Sequence, residues 1–178
     1  MNTPTIPGTV ARLRQTFDSG KTRPIEWRLA QLAEIERAMR DHEADFAEAL
    51  QKDLGKCRFE AVMTEMSFVE QEAKYARKHL RNWMRHTRVR TPMMAQPGRS
   101  YIEPEPKGVV LIIAPWNYPM SMVAAPLVGA VAAGNCAVMK PSEVTTHTSA
   151  ALAAILPRYL DKDAFAVVEG ASPETTEL

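Results

Sequence analysis

The 178-residue sequence predicts an α/β fold in which an N-terminal helical layer packs on a parallel sheet. In the first half of the chain, apolar residues recur at helical spacing between charged ones, as they do in amphipathic helices. Residues 109–114 and 136–139 are short apolar runs, and the first is rich in β-branched side chains, as strands buried on both faces are. The alanine-rich segment between them has no polar face, which predicts a buried connecting helix.

The composition is typical of a globular protein and excludes several classes of function. Hydrophobic residues make up 46% of the chain, charged residues make up 24%, and the formal net charge is +1. This balance predicts neither nucleic acid nor an anionic membrane as a partner. No uninterrupted apolar run is long enough to span a bilayer, and the first residues lack the segments of a signal peptide, so we expect a cytoplasmic protein.

Changes in composition divide the chain into four parts. These are a disordered tail, a helical part, a linker with an edge strand, and an incomplete βαβ part, at residues 1–8, 9–90, 91–107 and 108–178. Prolines flank residues 99–105, so a strand there suits only the edge of a sheet.

Three helices are expected in the helical part. The first is short and amphipathic, at residues 10–17. The second begins at the Thr-x-Pro signal of residues 22–24, has a candidate break at Asp41 and ends at Gly55. The third, at residues 59–87, should bury one apolar stripe, formed by Phe59, Val62, Met66, Val69, Ala73, Ala76, Leu80 and Trp83.

Residues 85–90 carry three arginines and a histidine, a basic run with two interpretations. A polyanion site is one. The other, which we favour, is a set of solvated cations at the C-terminus of the third helix, where positive charge opposes the helix dipole.

The histidines and cysteines form no pattern typical of a metal site, so no metal is expected. His42, His79 and His86 lie among charged residues at no ligand spacing, which predicts solvated side chains. Cys57 and Cys136 form neither a metal nor a redox motif and lack an activating neighbour in the sequence, which predicts inert thiols.

The centre of the chain is predicted to be a strand, a helix and a second strand, at residues 109–114, 120–133 and 136–139. Gly134 is a candidate cap at the end of the helix. Two prolines hold Asn117 on a stiff loop after the first strand, and Lys140 follows the second. Since ligands bind at the carboxyl ends of parallel strands, both residues should lie at the binding edge of the sheet.

A further helix and strand follow this unit, at residues 145–160 and 164–168. Residues 174–178 then begin another helix at the very end of the chain. A helix that starts where the chain stops predicts a truncated domain.

Three polar residues at the predicted sheet edge could take part in chemistry. The amide of Asn117 could stabilise an oxyanion, or it could only tie the loop to its own backbone. Lys140 and Glu143 could hold ribose hydroxyls, or they could be a surface charge pair in which Ser142 or Glu143 caps the next helix. No Gly-x-Gly-x-x-Gly or Gly-x-x-x-x-Gly-Lys motif is present, so a usual phosphate-binding loop is not predicted.

Three motifs in register resemble the aldehyde dehydrogenases. They are Pro-Trp-Asn-Tyr-Pro, Ala-Ala-Gly-Asn and Lys-Pro-Ser-Glu, at residues 115–119, 132–135 and 140–143. Tyr118, the Tyr-Leu-Asp-Lys-Asp of residues 159–163 and the closing Glu-Thr-Thr-Glu-Leu resemble the class 3 branch. The resemblance covers the chain from about residue 10 to residue 178 and less than half of a usual family member.

This resemblance implies the first half of a Rossmann-like sheet and the N-terminal part of an NAD- or NADP-dependent oxidoreductase. Its substrate would be a small aldehyde, which is oxidised to the acid through a thiohemiacetal and an acyl-enzyme. By similarity, Asn117 stabilises the oxyanion, and Trp116, Lys140 and Glu143 bind the cofactor. Tyr118 and Met122 would line the substrate tunnel, and the complete chain would form a homodimer.

The resemblance also implies that part of the catalytic machinery is absent from these residues. In the family, the nucleophilic cysteine and the glutamate that activates water come from later segments, and neither Cys57 nor Cys136 matches the nucleophile's motif. The 178 residues alone should therefore be inactive. An alternative function is a non-catalytic βαβ module that binds a nucleotide weakly or only pairs with the rest of the enzyme.

Overall fold

A computed structural model of the protein describes residues 5–178. Its N-terminal part is a layer of helices: α1 (Ile6–Asp18), α2 (Ile25–Asp41), α3 (Glu43–Leu54), α4 (Arg58–Ala61) and α5 (Ser67–Trp83). The last two are joined by a π-helical turn at Val62–Met66. The predicted break at Asp41 and the predicted helix end at Gly55 are confirmed, and Gly55 takes a left-handed conformation with a φ of 69°.

The first helix begins earlier than the sequence predicts. Thr5 accepts a hydrogen bond from the amide of Gly8, and Pro7 occupies the first turn, where its missing N–H costs nothing. Residues 6–8 are therefore helical, and the predicted disordered tail is wrong for them. Residues 1–4 lie outside the described residues.

The predicted buried stripe on the third helix is wrong at both of its ends. Phe59 is 76% exposed and Trp83 is 44% exposed, while Glu65 and Met66 are both buried. The π-helical turn contains an extra residue, which rotates the preceding residues by about 100° relative to a regular helix. At the other end, Trp83 lies beside Tyr75, with ring centroids 5.9 Å apart, rather than in the core.

The basic run does not end a helix, because α5 stops at Trp83. Instead, β1 (Thr87–Val89) and β2 (Ser100–Ile102) form a separate antiparallel pair, and a 3₁₀ turn at Met93–Ala95 lies between them. The helix-dipole interpretation of the arginines is therefore wrong, although residues 85–90 are exposed as expected. The predicted edge strand exists, but it pairs with β1 and not with the main sheet.

The main sheet is parallel, as predicted, with the order β3–β4–β5. Its strands and helices are β3 (Val109–Ile113), α6 (Ser121–Ala133), β4 (Cys136–Lys140), α7 (Thr146–Tyr159), β5 (Phe165–Val167) and a short α8 (Ser172–Glu177). All five residues of β4 are buried. The expectation that the first strand is buried on both faces is wrong here, because β3 lies at an edge and exposes Leu111 and Ile113.

The helical layer is tied to the sheet part at the end of α6. Gly134 takes a φ of +85° and closes the helix, which confirms the predicted cap. The hydroxyl of Thr22 donates to the Gly134 carbonyl at 2.6 Å, and the guanidinium of Arg28 donates to the Ala132 carbonyl at 3.2 Å. These two side chains satisfy carbonyls that a helix C-terminus otherwise leaves unpaired.

Candidate active site

Asn117 lies on the loop between β3 and α6, at the carboxyl end of the parallel sheet. Its side chain is exposed, and within residues 5–178 no hydrogen bond is made to its amide group. Its backbone carbonyl accepts a hydrogen bond from Nζ of Lys56 at 3.2 Å. The loop is therefore held through its backbone, and the amide of Asn117 does not tie it to itself.

Three apolar side chains near Asn117 in the sequence are also exposed. Trp116 and Tyr118 flank it on the loop, and Met122 lies in the first turn of α6. Nζ of Lys56 lies 4.0 Å from the centre of the Tyr118 ring, within the range of a cation–π contact. This end of the sheet thus combines an amide donor with an open apolar surface.

Lys140 ends β4 directly beside the end of β3. It is in register with Ile113, and its carbonyl accepts a hydrogen bond from Ala114 at 3.1 Å. The residue is only 3% exposed. Its ammonium donates to the Glu143 carboxylate at 2.6 Å and to the Gly170 carbonyl at 3.2 Å. The loop that carries Asn117 and the ammonium of Lys140 therefore belong to the same edge of the sheet.

Glu143 is held by Lys140 and does not cap α7. The hydrogen bond from Lys140, together with one from its own backbone amide, lowers the pKa of the Glu143 carboxyl below its usual range. The carboxylate of Asp53, from α3, accepts the amides of His147 and Thr148 at 3.1 and 2.7 Å, so α7 is capped from another helix. The capping alternative is therefore wrong for Glu143.

Two residues of this region carried no functional signal in the sequence. Glu65, on the π-helical turn, is fully buried, and its carboxylate accepts the amides of Met120 and Ser121 at 2.9 and 3.1 Å. Its other oxygen accepts Nζ of Lys56 at 2.6 Å. Lys56 and Glu65 belong to no motif in the sequence, and charged residues are usually exposed to solvent. Only the fold brings them under the Asn117 loop.

The thiols and imidazoles do not add a second chemical site. Burial, with a smaller contribution from the nearby charge of Asp161, raises the pKa of the Cys136 thiol to about 11. Cys57 is exposed. His42 is not solvated as predicted, since its ring packs edge-on against Tyr159 with centroids 5.7 Å apart. Within residues 5–178, no three His, Cys, Asp or Glu side chains converge as a metal site.

No helix among residues 5–178 combines the length and the hydropathy that crossing a bilayer requires.

Comparison with known proteins places this geometry in one family. The sequence profile of the "Aldehyde dehydrogenase family" matches residues 4–178. Aldehyde dehydrogenase family 3 member B1 from Bos taurus is 47% identical over 170 residues, which are 96% of this chain and 36% of that protein. The canine protein named "Aldehyde dehydrogenase, dimeric NADP-preferring" is 44% identical over 173 residues, with 97% of this chain and 38% of that protein covered.

Comparison with solved structures identifies the same family. The substrate-bound state of Staphylococcus aureus AldH superposes with a TM-score of 0.94 at 40% identity and covers 99% of this chain. The match covers 38% of the S. aureus chain, so the protein spans well under half the length of the relatives it matches. Over that span, the sequence motifs and the fold agree, and the chain belongs to the aldehyde dehydrogenase family.

Proposed function

We propose that residues 1–178 form the N-terminal part of an NAD(P)-dependent enzyme that oxidises small aldehydes to carboxylic acids. The observation that carries this proposal is the placement of Asn117. An amide with no partner within residues 5–178 stands at the carboxyl end of β3, on the sheet edge that also holds the ammonium of Lys140. Family membership supports the same reaction.

Asn117 would stabilise the negative oxygen that forms when a nucleophile adds to the aldehyde. An amide N–H is a neutral donor that needs no proton transfer to act, and its hydrogen bond strengthens as charge develops on the oxygen. A donor of this kind stabilises the transition state by about 3–4 kcal/mol, as judged from the fall in kcat when it is removed. The backbone of the loop is already anchored at Asn117, which fixes the point from which the side chain extends.

Lys140 and Glu143 would hold a ribose of NAD or NADP. When bound, this cofactor supplies the acceptor for the hydride. The chemistry of the pair fits a ribose. Nζ of Lys140 carries three N–H groups, and Glu143 and Gly170 take two of them, which leaves one for a hydroxyl. Glu143 would accept a hydrogen bond from a ribose hydroxyl and would repel a 2′-phosphate. Trp116 would line the same cofactor cleft.

Tyr118 and Met122 would line the aldehyde tunnel, since both are exposed and apolar at the loop and at the start of α6. An aldehyde bound against them would be partly desolvated, which strengthens the hydrogen bond from Asn117.

The nucleophile would come from outside residues 1–178. Burial of Cys136 disfavours its thiolate, and neither cysteine lies on the sheet edge that carries Asn117 and Lys140. The complete enzyme would act as a homodimer, and the canine relative is a protein whose name includes the word dimeric. A cytoplasmic location stays a prediction.

The test joins residues 1–178 to the part of the canine relative that follows its matched segment. The product is called the joined enzyme below. We expect NAD(P)H formation that depends on added aldehyde, and no formation by the canine segment alone. A joined enzyme that folds and binds cofactor but oxidises none of several aliphatic and aromatic aldehydes would contradict the proposal.

A further inference from the structure

We propose that Lys56 and Glu65 are positioning residues that set the place of Asn117 by holding its loop at the middle and at the end that enters α6. The proposal rests on the oxyanion role of Asn117. The pair lies beneath the loop, 7% and 0% exposed, and it contacts the loop's backbone rather than the amide that would meet substrate.

Glu65 fixes the end of the loop at the start of α6. One carboxylate oxygen accepts the backbone amides of Met120 and Ser121, which lie where a helix leaves amides unpaired and where negative charge is favoured. The π-helical turn brings Glu65 to the core face beside Met66, so both residues are buried there.

Lys56 fixes the middle of the loop. Its ammonium lies 2.6 Å from the other oxygen of Glu65 and donates to the carbonyl of Asn117 itself at 3.2 Å. The same ammonium lies over the Tyr118 ring at 4.0 Å. A single buried cation thus links the cap of α6, the backbone of Asn117 and the proposed tunnel wall at Tyr118.

A buried ion pair is a poor way to gain stability alone, since apolar residues of similar size often serve equally well or better. What the pair supplies here is a set of directed hydrogen bonds to the loop. Each charged atom here has partners at hydrogen-bond distance, and those partners lie on residues 117–121 or on the pair itself. Displacement of a catalytic group by about 1 Å can lower a rate by about 100-fold, so accurate anchoring of this loop affects turnover directly.

The test uses the joined enzyme and the double variant Lys56→Met/Glu65→Gln. This variant leaves no lone buried charge, and the glutamine oxygen can still accept the amides of Met120 and Ser121. The donor to the Asn117 carbonyl and the cation over Tyr118 are lost, together with the ion pair between residues 56 and 65. The matched control is Lys74→Met/Glu70→Gln, which removes an ion pair of α5 whose lysine side chain is 53% exposed.

We expect kcat to fall by about tenfold or more, while the Kd for NAD(P) and the melting temperature stay close to those of the control. The decisive comparison is the effect of Asn117→Ala on kcat in the otherwise unmodified joined enzyme and in the double variant. This substitution should cost about 10²–10³-fold in kcat in the unmodified protein, but only about 10–10²-fold in a double variant that has itself lost about tenfold, because residues that act as a unit are not additive. An undiminished effect of Asn117→Ala in the double variant would overturn the positioning role.

Failure of the oxyanion role would look different, since Asn117→Ala would then leave kcat unchanged in the unmodified joined enzyme. The crystal structure of the double variant then decides the positioning role separately, because a displaced Asn117 backbone supports it and an unmoved one contradicts it. If the double variant does not fold, Lys56→Arg keeps a buried cation and shifts the donor. Lowered kcat at an unchanged melting temperature supports the proposal, and unchanged kcat opposes it.

Discussion

The ammonium of Lys140 lies 2.6 Å from the carboxylate of Glu143 at the carboxyl end of β4. The lysine side chain is almost wholly buried, whereas half of the glutamate side chain is exposed. The pair therefore combines a buried, anchored cation with a carboxylate that is open to the surface. This arrangement makes a specific prediction about the two nicotinamide cofactors.

Glu143→Gln should improve the use of NADP relative to NAD by about fivefold, because it removes a negative charge near the 2′-phosphate. Lys140→Ala should weaken the binding of both nucleotides, and of NADP more. The Kd values of the joined enzyme measure both effects, with Lys52→Ala and Glu48→Gln, from an exposed pair on α3, as controls. Unchanged Kd values in the Lys140 variant would place the cofactor elsewhere.

The ionisation of Glu143 adds a pH dependence to this prediction. Because Lys140 lowers the pKa of Glu143, its carboxylate stays charged as pH falls, and the charge is lost only below the usual carboxyl range. The affinity for NAD, which has no 2′-phosphate that titrates at about pH 6, should therefore be constant through neutral and mildly acidic pH. An NAD affinity that changes as pH falls toward 5 would show that another group controls it.

The two cysteines should differ sharply in reactivity toward a thiol reagent near neutral pH. Burial raises the pKa of Cys136 to about 11, so almost none of it is thiolate, whereas Cys57 is exposed. Mass spectrometry should find only Cys57 modified in the folded protein and both modified in denaturant. Rapid modification of folded Cys136 would contradict its assignment as an inert core thiol.

The cap of α7 should contribute to stability. Asp53 accepts two amides at the start of that helix, so Asp53→Ala should lower the free energy of unfolding by about 1 kcal/mol, seen as a lower melting temperature of the joined enzyme. Glu48→Ala is the control, because Glu48 is an exposed residue of α3, the helix that carries Asp53. Equal melting temperatures for the two variants would mean that the cap is dispensable.

The 178-residue polypeptide alone should not oxidise aldehydes. It carries the proposed oxyanion donor but no cysteine in the family's nucleophile motif, and exposed Leu111 and Ile113 on the edge strand favour aggregation. NADH formation, light scattering and a melting curve test this directly. Aldehyde-dependent NADH from a pure, cooperatively folding sample would be the opposite result, and its loss on mutating Cys57 or Cys136 would identify the thiol responsible.

The central strand–helix–strand unit was predictable because its signals are local. The apolar runs before Asn117 and Lys140, the apolar helix between them and the cap at Gly134 all come from neighbouring residues. The parallel pairing then followed from the short crossover, and the register of Ile113 with Lys140 agrees with it. The exposed face of β3 was not predictable, since an apolar run does not reveal which of its faces the rest of a chain covers.

The support of the site was not predictable because it depends on distant contacts. Lys56 contacts Asn117, which lies 61 positions later in the sequence, and Asp53 contacts the start of α7, which lies more than 90 positions later. The π-helical turn interrupts the regular helical period, which made Phe59 look buried and Glu65 look exposed. A periodicity argument assumes that period throughout and therefore places both residues on the wrong side.

The most direct test of the central claim is the kcat of Asn117→Ala in the joined enzyme, with the chemical step shown to be rate-limiting. Asn82→Ala, an exposed asparagine on α5, is the control. We predict a fall of about 10²–10³-fold in kcat with a nearly unchanged Kd for NAD(P), because the lost hydrogen bond forms mainly in the transition state. Near-normal turnover would contradict the account and remove Asn117 from the mechanism.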